Sequence, residues 1–187
     1  MSQPDTRKQL EHEAAACRAL FEKKTRDYGT SWRIMRLPSL TDQIFIKANR
    51  IRSIEESGEN RIGDSIAGEF VAMVNYAIMA LIQADAERSG TQLPLDLPTA
   101  QALELYDHHM KATLDLMEAK NHDYGEAWRE MRISSMVDLI LMKLLRIKQI
   151  EDHQGRTEAS EGPEGGYTDI INYSLFSLVR LSESNQQ

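Results

Sequence analysis

The chain has 187 residues, of which 41% are hydrophobic and 27% are charged, and its formal net charge is −7. This length predicts one ordinary domain or two small ones, and the composition predicts a buried core rather than disorder. Because 29 Asp and Glu residues outnumber 22 Lys and Arg residues, the chain lacks the basic surface that nonspecific binding of nucleic-acid phosphates requires, so nucleic acid is not expected as a partner.

The cysteine content and the apolar segments predict the compartment. Cys17 is the single cysteine and cannot form a disulfide within the chain, which suits a reducing environment. The first residues contain no apolar segment of the signal-peptide type, and no run approaches the roughly 18 apolar residues of a membrane span. We therefore expect a cytoplasmic protein without a membrane partner.

Three helices are predicted in the first half of the chain. The first runs from about Thr6 to Arg26 and stops at Asp27-Tyr28-Gly29, where glycine can adopt the positive φ of a helix end. Ser39 and Asp42 resemble a capping box, which would start the second helix. The third helix carries apolar residues at helical spacing from Phe70 to Leu81.

The second half of the chain repeats the first. Residues 22–55 align with residues 118–151 without a gap, and about half of the aligned positions are identical. After a slip of one residue, Asn75-Tyr76 also aligns with Asn172-Tyr173. Such self-similarity at a fixed period is the sequence signature of a repeated structural unit.

The duplication predicts the domain organisation. Residues 1–88 would form the first helical repeat, residues 89–98 a linker with two prolines and a glycine, and residues 99–187 the second repeat. Two copies joined in this way usually pack about a pseudo-twofold axis, as a homodimer would. No segment shows the period-two alternation of strands. We therefore predict an all-α fold, with two tandem three-helix repeats packed as an intramolecular pseudo-dimer in one helical bundle. Assembly of this unit into a homo-oligomer stays open.

A stripe of cations repeats on the second helix of each copy. Lys143 and Arg146 lie three positions apart on a helix that is otherwise largely apolar, and Lys47 and Arg50 repeat them in the first copy. Buried cations need partners. Two interpretations are open: ion pairs with carboxylates of the neighbouring helix, or a pocket in which arginine and lysine bind phosphate oxygens.

The third helix carries one candidate metal-binding carboxylate in each copy. Glu69 aligns with Gly166, and Asp169 aligns with Ala72, so each copy keeps one half of a Glu-x-x-Asp pair. Two such carboxylates could share Mg²⁺ with the phosphate oxygens of a substrate, but here the pair would have to be assembled between the halves. Acids at the end of the second helix could add ligands. The predicted metal ligands are Glu55, Glu69, Glu151 and Asp169.

The Asp-Tyr-Gly turn brings aromatic and charged residues together in both copies. A helix-ending turn packed by a tyrosine and a tryptophan is one explanation. The other is an aromatic platform for a nucleotide base, flanked by arginines for phosphates. Asn172 would either bridge helices or bind a base edge or a hydroxyl. The predicted substrate-binding residues are Lys47, Arg50, Lys143, Arg146, Asp123, Tyr124, Trp128, Arg132 and Asn172, and no catalytic residue is assigned.

The motifs of the second copy resemble a known family. They are Lys120-Asn121-His122-Asp123-Tyr124-Gly125, a helix with Asp138, Lys143 and Arg146, and Asp169-x-x-Asn172-Tyr173. This combination resembles the nucleotide modification associated domain 1 family in its duplicated bacterial form, and the resemblance covers nearly the whole chain. It implies an all-helical domain found near phage and bacterial systems that make or handle modified nucleotides.

A more distant similarity is to the all-α nucleoside triphosphate pyrophosphohydrolases of the MazG and dimeric dUTPase type. These carry Glu-x-x-Glu on one helix and Glu-x-x-Asp on the next, which bind Mg²⁺. Glu56, Glu59 and the split pair of Glu69 and Asp169 match this pattern in part. The sequence thus predicts a protein that binds a nucleotide or modified nucleotide, with Mg²⁺-dependent pyrophosphate release as its expected chemistry. The alternative is a noncatalytic binding or scaffold module whose charged stripes are internal salt bridges.

Overall fold

The computed structural model describes residues 5–63, 65–159 and 162–185. Within these ranges the chain forms six α-helices and two short 3₁₀ helices, and no strand. The α-helices are α1 (Thr6–Tyr28), α2 (Leu37–Ser57), α3 (Ile66–Ser89), α4 (Thr99–Tyr124), α5 (Ile133–Asp152) and α6 (Glu164–Ser184), and the 3₁₀ helices are Ser31–Ile34 and Ala127–Glu130. The predicted all-α class is confirmed.

Equivalent helices of the two copies pack against each other. α3 pairs with α6, α2 with α5, and α1 with α4. Two ion pairs repeat this relation between α2 and α5: Arg52 Nη1 lies 3.6 Å from Asp138 Oδ1, and Lys148 Nζ lies 3.1 Å from Asp42 Oδ1. These four residues occupy equivalent positions in the two copies. The predicted intramolecular pseudo-dimer is therefore confirmed.

All six α-helices contribute buried residues to the core, and α3 is its most apolar helix. Contrary to the expectation from the sequence, α3 is long and apolar enough to meet the length and composition criteria of a membrane span. More than half of this apolar window is buried inside the protein, because α3 contacts α1, α2, α4 and α6. A core helix surrounded by other helices needs apolar residues on nearly all faces. Burial in the bundle therefore explains the composition of α3.

The second helix of each copy begins before the predicted capping box. α2 starts at Leu37, and the preceding Arg36 supplies no side-chain cap. Ser39 therefore lies inside the first turn of α2, and Ser135 lies inside the first turn of α5, so the capping-box prediction was wrong. Pro38 explains the earlier start of α2, because proline in the first turn lacks an N–H group that would have no partner there.

The segment between α3 and α4 packs against the turn that follows α1. Thr30 Oγ1 donates to the carbonyl oxygen of Leu95 at 2.9 Å and accepts from the N–H group of Leu97 at 2.9 Å. Gly29 has a φ of 69°, and a Cβ atom there would collide with the carboxylate of Asp96. The turn of the first copy is thus fixed by contacts along the connection to the second copy.

Substitution of two adjacent glycines tests the packing of α6 on α5. A Cβ atom at Gly166 would lie 2.8 Å from Cδ1 and Cγ1 of Ile147, which is buried and cannot easily move away. We expect Gly166→Ala to lower the free energy of unfolding by about 1–3 kcal/mol.

Gly165→Ala is the matched control, because a Cβ atom at Gly165 meets nothing within 4 Å. It should leave stability unchanged or raise it by up to about 1 kcal/mol, since alanine favours the helix. Urea unfolding of both variants is the measurement, and equal stabilities would contradict the described contact.

Candidate functional site

In the first copy, the cations of α2 pair with Glu69 in the first turn of α3. Arg50 Nη1 lies 2.7 Å from Glu69 Oε1, and Lys47 Nζ lies 3.7 Å from Glu69 Oε2. The Glu69 side chain is only 8% exposed, so its charge depends on these two cations. Arg50 also donates a hydrogen bond to Asn60 at 3.0 Å. Lys47 and Arg50 thus form ion pairs with a carboxylate of the neighbouring helix, as the first of the two interpretations expects.

In the second copy, the carboxylate lies one turn later on the third helix. Lys143 Nζ lies 2.8 Å from Asp169 Oδ2, and Lys120 Nζ lies 3.5 Å from Asp169 Oδ1. Gly166 occupies the position of Glu69. As a result, Arg146 is exposed and forms no ion pair or hydrogen bond with the described residues. The same cation that is neutralised in the first copy is thus available in the second.

Arg146 lines a cavity of about 680 Å³ between α5 and α6. Lys143 and Asp169 also line it, and Gly162, Gly165 and Gly166 contribute a wall without side chains. We call this space the glycine-rich cavity. Its volume falls within the range of small-molecule sites in proteins.

Tyr124 and Trp128, the aromatic residues of the predicted base platform, do not line this cavity. Trp128 is 5% exposed and stacks on Phe176, with ring centroids 4.3 Å apart. The guanidinium carbon of Arg129 lies 4.4 Å from the centroid of the Trp128 ring. Two groups this close over one ring must occupy opposite faces, so Trp128 has no free face on which a base could stack. Tyr124 is 74% exposed and forms no described contact with another predicted site residue.

The remaining predicted substrate-binding residues also lie apart from the glycine-rich cavity. Asp123 and Arg132 are exposed, and Asp123 contacts only His122, at 3.3 Å, among the described residues. Asn172 is 2% exposed, and neither atom of its amide has a hydrogen-bond partner in the described part of the chain. Asn75, its first-copy equivalent, does have partners. Of the nine predicted residues, the cavity therefore unites Lys143 and Arg146.

The acids predicted to bind Mg²⁺ do not form one ligand set. Within residues 5–63, 65–159 and 162–185, no three His, Cys, Asp or Glu side chains are grouped where they could hold a metal ion. Glu69 and Asp169 are each paired with two cations, as described above. Glu151 accepts hydrogen bonds from Thr41 Oγ1 at 2.7 Å and from the Tyr167 hydroxyl at 3.2 Å. Three of the four acids, Glu69, Asp169 and Glu151, already serve other groups and therefore do not offer a free ligand set to a resident Mg²⁺ ion.

Burial affects the two acids at the ends of α2 and α5. It raises the pKa of Glu151 above its usual range, and the hydrogen bonds from Thr41 and Tyr167 offset part of this effect. Burial also raises the pKa of Glu55, and the negative charge of Asp138 adds to the rise.

One repeated arginine beside each turn, Arg33 or Arg129, has structural partners. Arg129 donates to Gln9 Oε1 at 2.6 Å and to Thr6 Oγ1 at 2.8 Å, which ties the start of α1 to the second copy. Arg33, its equivalent, donates to the carbonyl oxygen of Leu93 at 2.9 Å. These bonds give one repeated arginine of each turn a structural role.

The family model of nucleotide modification associated domain 1 matches two segments of the chain, residues 24–84 and residues 120–181. The two matched segments together span more than half of the chain and fall one in each copy. The chain belongs to the nucleotide modification associated domain 1 family. Membership confirms the resemblance seen in the sequence, together with the duplication. No curated protein and no solved structure matches the chain. The similarity to MazG-type pyrophosphohydrolases stays a prediction.

The nucleotide modification associated domains of this chain differ in how deeply the paired acid is buried, which predicts unequal effects of neutralising it. Glu69→Gln removes a charge from a side chain that is 8% exposed and leaves two cations beside a neutral amide. We expect a loss of roughly 1–3 kcal/mol in the free energy of unfolding. Asp169→Asn should cost less, because Asp169 is 24% exposed and water replaces part of the interaction. Urea unfolding of both variants is the measurement, and a larger loss for Asp169→Asn would contradict the described burial.

Glu151→Gln should change the pH dependence of stability. A carboxyl whose pKa is raised on folding binds its proton more tightly in the folded state, so it lowers stability as pH rises from the unfolded pKa through the folded pKa. The amide oxygen of glutamine can still accept the bonds from Thr41 and Tyr167. We expect the variant to be more stable than the natural protein at pH 7 and to lose this advantage as pH falls through the raised pKa of Glu151 to about 4.5. Thermal unfolding across this pH range is the measurement, and an advantage that grows on acidification would refute the burial effect.

Proposed function

We propose that the chain binds a nucleotide or a modified nucleotide, with its phosphate groups in the glycine-rich cavity. The observation that carries this proposal is the state of Arg146. Its equivalent, Arg50, is neutralised by Glu69, whereas Arg146 lines a cavity and has no partner among the described residues. An unpaired guanidinium on the wall of a cavity favours an anionic ligand.

The surroundings of Arg146 suit a phosphate. A guanidinium can donate two parallel hydrogen bonds to phosphate oxygens. Lys143 on the same wall offsets the negative charge of Asp169, with which it is paired. Gly165 and Gly166 lie in the first turn of α6, which has no side-chain cap. The first N–H groups of a helix have no partners within the helix, and the helix dipole favours negative charge at that end. Glycine also allows a ligand to approach the backbone closely.

Whether hydrolysis follows binding is a separate question. Mg²⁺-dependent pyrophosphate release was expected from the more distant sequence similarity, and we retain it as a prediction. The arrangement of the four acids supports binding without a resident metal ion. The ion pairs of Glu69 also favour the alternative, a noncatalytic module, for the first copy. A Mg²⁺ ion that arrives with the phosphates would not need the acids as a preformed cage.

The first test is ligand binding by the purified protein and its Arg146→Ala variant. Nucleoside mono-, di- and triphosphates should raise the melting temperature of the natural protein, because a ligand bound by the folded state stabilises it. Loss of a charged hydrogen-bond donor should weaken binding by roughly 10- to 100-fold in isothermal titration calorimetry.

Arg26→Ala is the control, because Arg26 is an exposed arginine that pairs with Glu22 and lies outside the cavity. It should bind as the natural protein does. Equal binding by Arg146→Ala, or no melting shift at millimolar nucleotide, would refute the proposed site. Each titration is run with and without Mg²⁺, and pyrophosphate released only with Mg²⁺ would establish the predicted chemistry.

A further inference from the structure

A second cavity lies entirely in the first copy and shares no lining residue with the glycine-rich cavity. It has a volume of about 440 Å³ and is lined by parts of α1, the first 3₁₀ helix and α3. Four aromatic residues contribute to its walls, and we call it the aromatic cavity. They are Phe21, Tyr28, Trp32 and Tyr76.

One hydrogen-bond donor of this wall has no partner. Trp32 is 6% exposed, and its Nε1 atom is buried without a hydrogen bond to any described residue. The two other buried polar side chains of the wall are satisfied: Thr25 donates to the carbonyl oxygen of Phe21 at 2.8 Å, and Asn75 contacts both Cys17 and Tyr106. Because this atom is itself buried, as Trp128 Nε1 is in the second copy, a ligand in the cavity would contact Trp32 through its ring.

The aromatic cavity also has an unpaired cation. Lys24 lines it and forms no ion pair with the described residues, whereas the equivalent Lys120 pairs with Asp169. The difference arises because Ala72 occupies the position of Asp169 and lines the cavity. The alanine side chain is small, so the cavity stays open, and it provides no carboxylate to pair with Lys24.

The wall that carries Trp32 is held in place before any ligand arrives. The contacts of Gly29 and Thr30 with residues 95–97, described above, fix the turn that precedes it. The second copy differs, because Phe176 and Arg129 cover both faces of Trp128. At the position of Phe176 the first copy has Met79, which lines the aromatic cavity. A preformed wall lowers the entropy cost of binding.

We propose that the aromatic cavity binds a planar aromatic compound with one anionic group, independently of the glycine-rich cavity. The ring of the ligand packs against the aromatic wall, and its anionic group lies beside Lys24. Nucleoside monophosphates and aromatic carboxylates share this chemistry. The proposal does not depend on nucleotide binding at Arg146.

The test uses the emission of Trp32. The chain has two tryptophans, and Trp128→Phe leaves Trp32 as the only one while keeping an aromatic ring against Phe176. This protein is titrated with adenosine 5′-monophosphate, nicotinate, adenosine and ribose 5-phosphate. We expect a saturable change in emission with the first two compounds, a weaker response to uncharged adenosine, and none with ribose 5-phosphate, which lacks a ring system of this type. Saturation with only the monophosphate or only nicotinate would identify the source of the anionic group.

Variants of the wall make the test specific. Lys24→Ala should weaken binding of the anionic ring compounds about tenfold and leave adenosine unchanged, whereas Lys23→Ala removes the same charge one residue away, outside the cavity, and should have no effect. Ala72→Leu should fill the cavity and abolish the response, with circular dichroism showing that the helices remain. If Ala72→Leu does not fold, the comparison of Lys24→Ala with Lys23→Ala decides alone.

Two outcomes would overturn the inference: no saturable response to any ring compound at millimolar concentration, or responses that Lys24→Ala and Ala72→Leu leave unchanged. Arg146→Ala should not alter the Trp32 signal. A protein that loses nucleotide binding at Arg146 but keeps this signal therefore separates the two proposals.

Discussion

Cations of the second helix lie against the third helix in each copy, and the packing of the two helices depends on neutralising them. Such cations require a carboxylate nearby, because a charge removed from water without a partner costs several kcal/mol. The first copy meets this need with Glu69, and the second meets it with Asp169, one helical turn later. Both carboxylates neutralise cations between the two helices, but they leave cavities in different places beside the helices.

This difference determines which cation each copy leaves unpaired. A carboxylate at the first position of the Glu-x-x-Asp pattern reaches Lys47 and Arg50, and one at the second position reaches Lys143 and Lys120. The lysine of α1 is therefore left over in the first copy, and the arginine of α5 in the second. Each of these cations lies beside a cavity, because the missing carboxylate is replaced by alanine or glycine. A single chain permits this divergence, whereas identical subunits of a homodimer would have to change together.

The sequence predicted the features that depend on local pattern. Helical periodicity and the repeat gave the helices, the pseudo-dimer, and the cations and acids that meet between helices. The features it did not predict depend on packing between distant segments: the stack of Trp128 on Phe176, the docking of residues 95–97 on the first turn, and both cavities. The alignment of the copies shows Gly166 at the position of Glu69. The cavity that this glycine leaves beside Arg146 depends on how α6 packs on α5, which the sequence alone does not show.

The local distribution of charge supports the proposed anionic ligands, although the protein as a whole is acidic. Each copy repeats three cations but has one third-helix carboxylate, which pairs with two of them. The cations are Lys24, Lys47 and Arg50 with Glu69 in the first copy, and Lys120, Lys143 and Arg146 with Asp169 in the second. The chain as a whole carries a net charge of −7. A local excess of positive charge acts over roughly 10 Å at moderate salt, so it reaches a small phosphate or carboxylate compound that enters the cavity. A long polyanion would extend past this range and meet the acidic surface, so we expect this charge distribution to favour a small anionic ligand over nucleic acid.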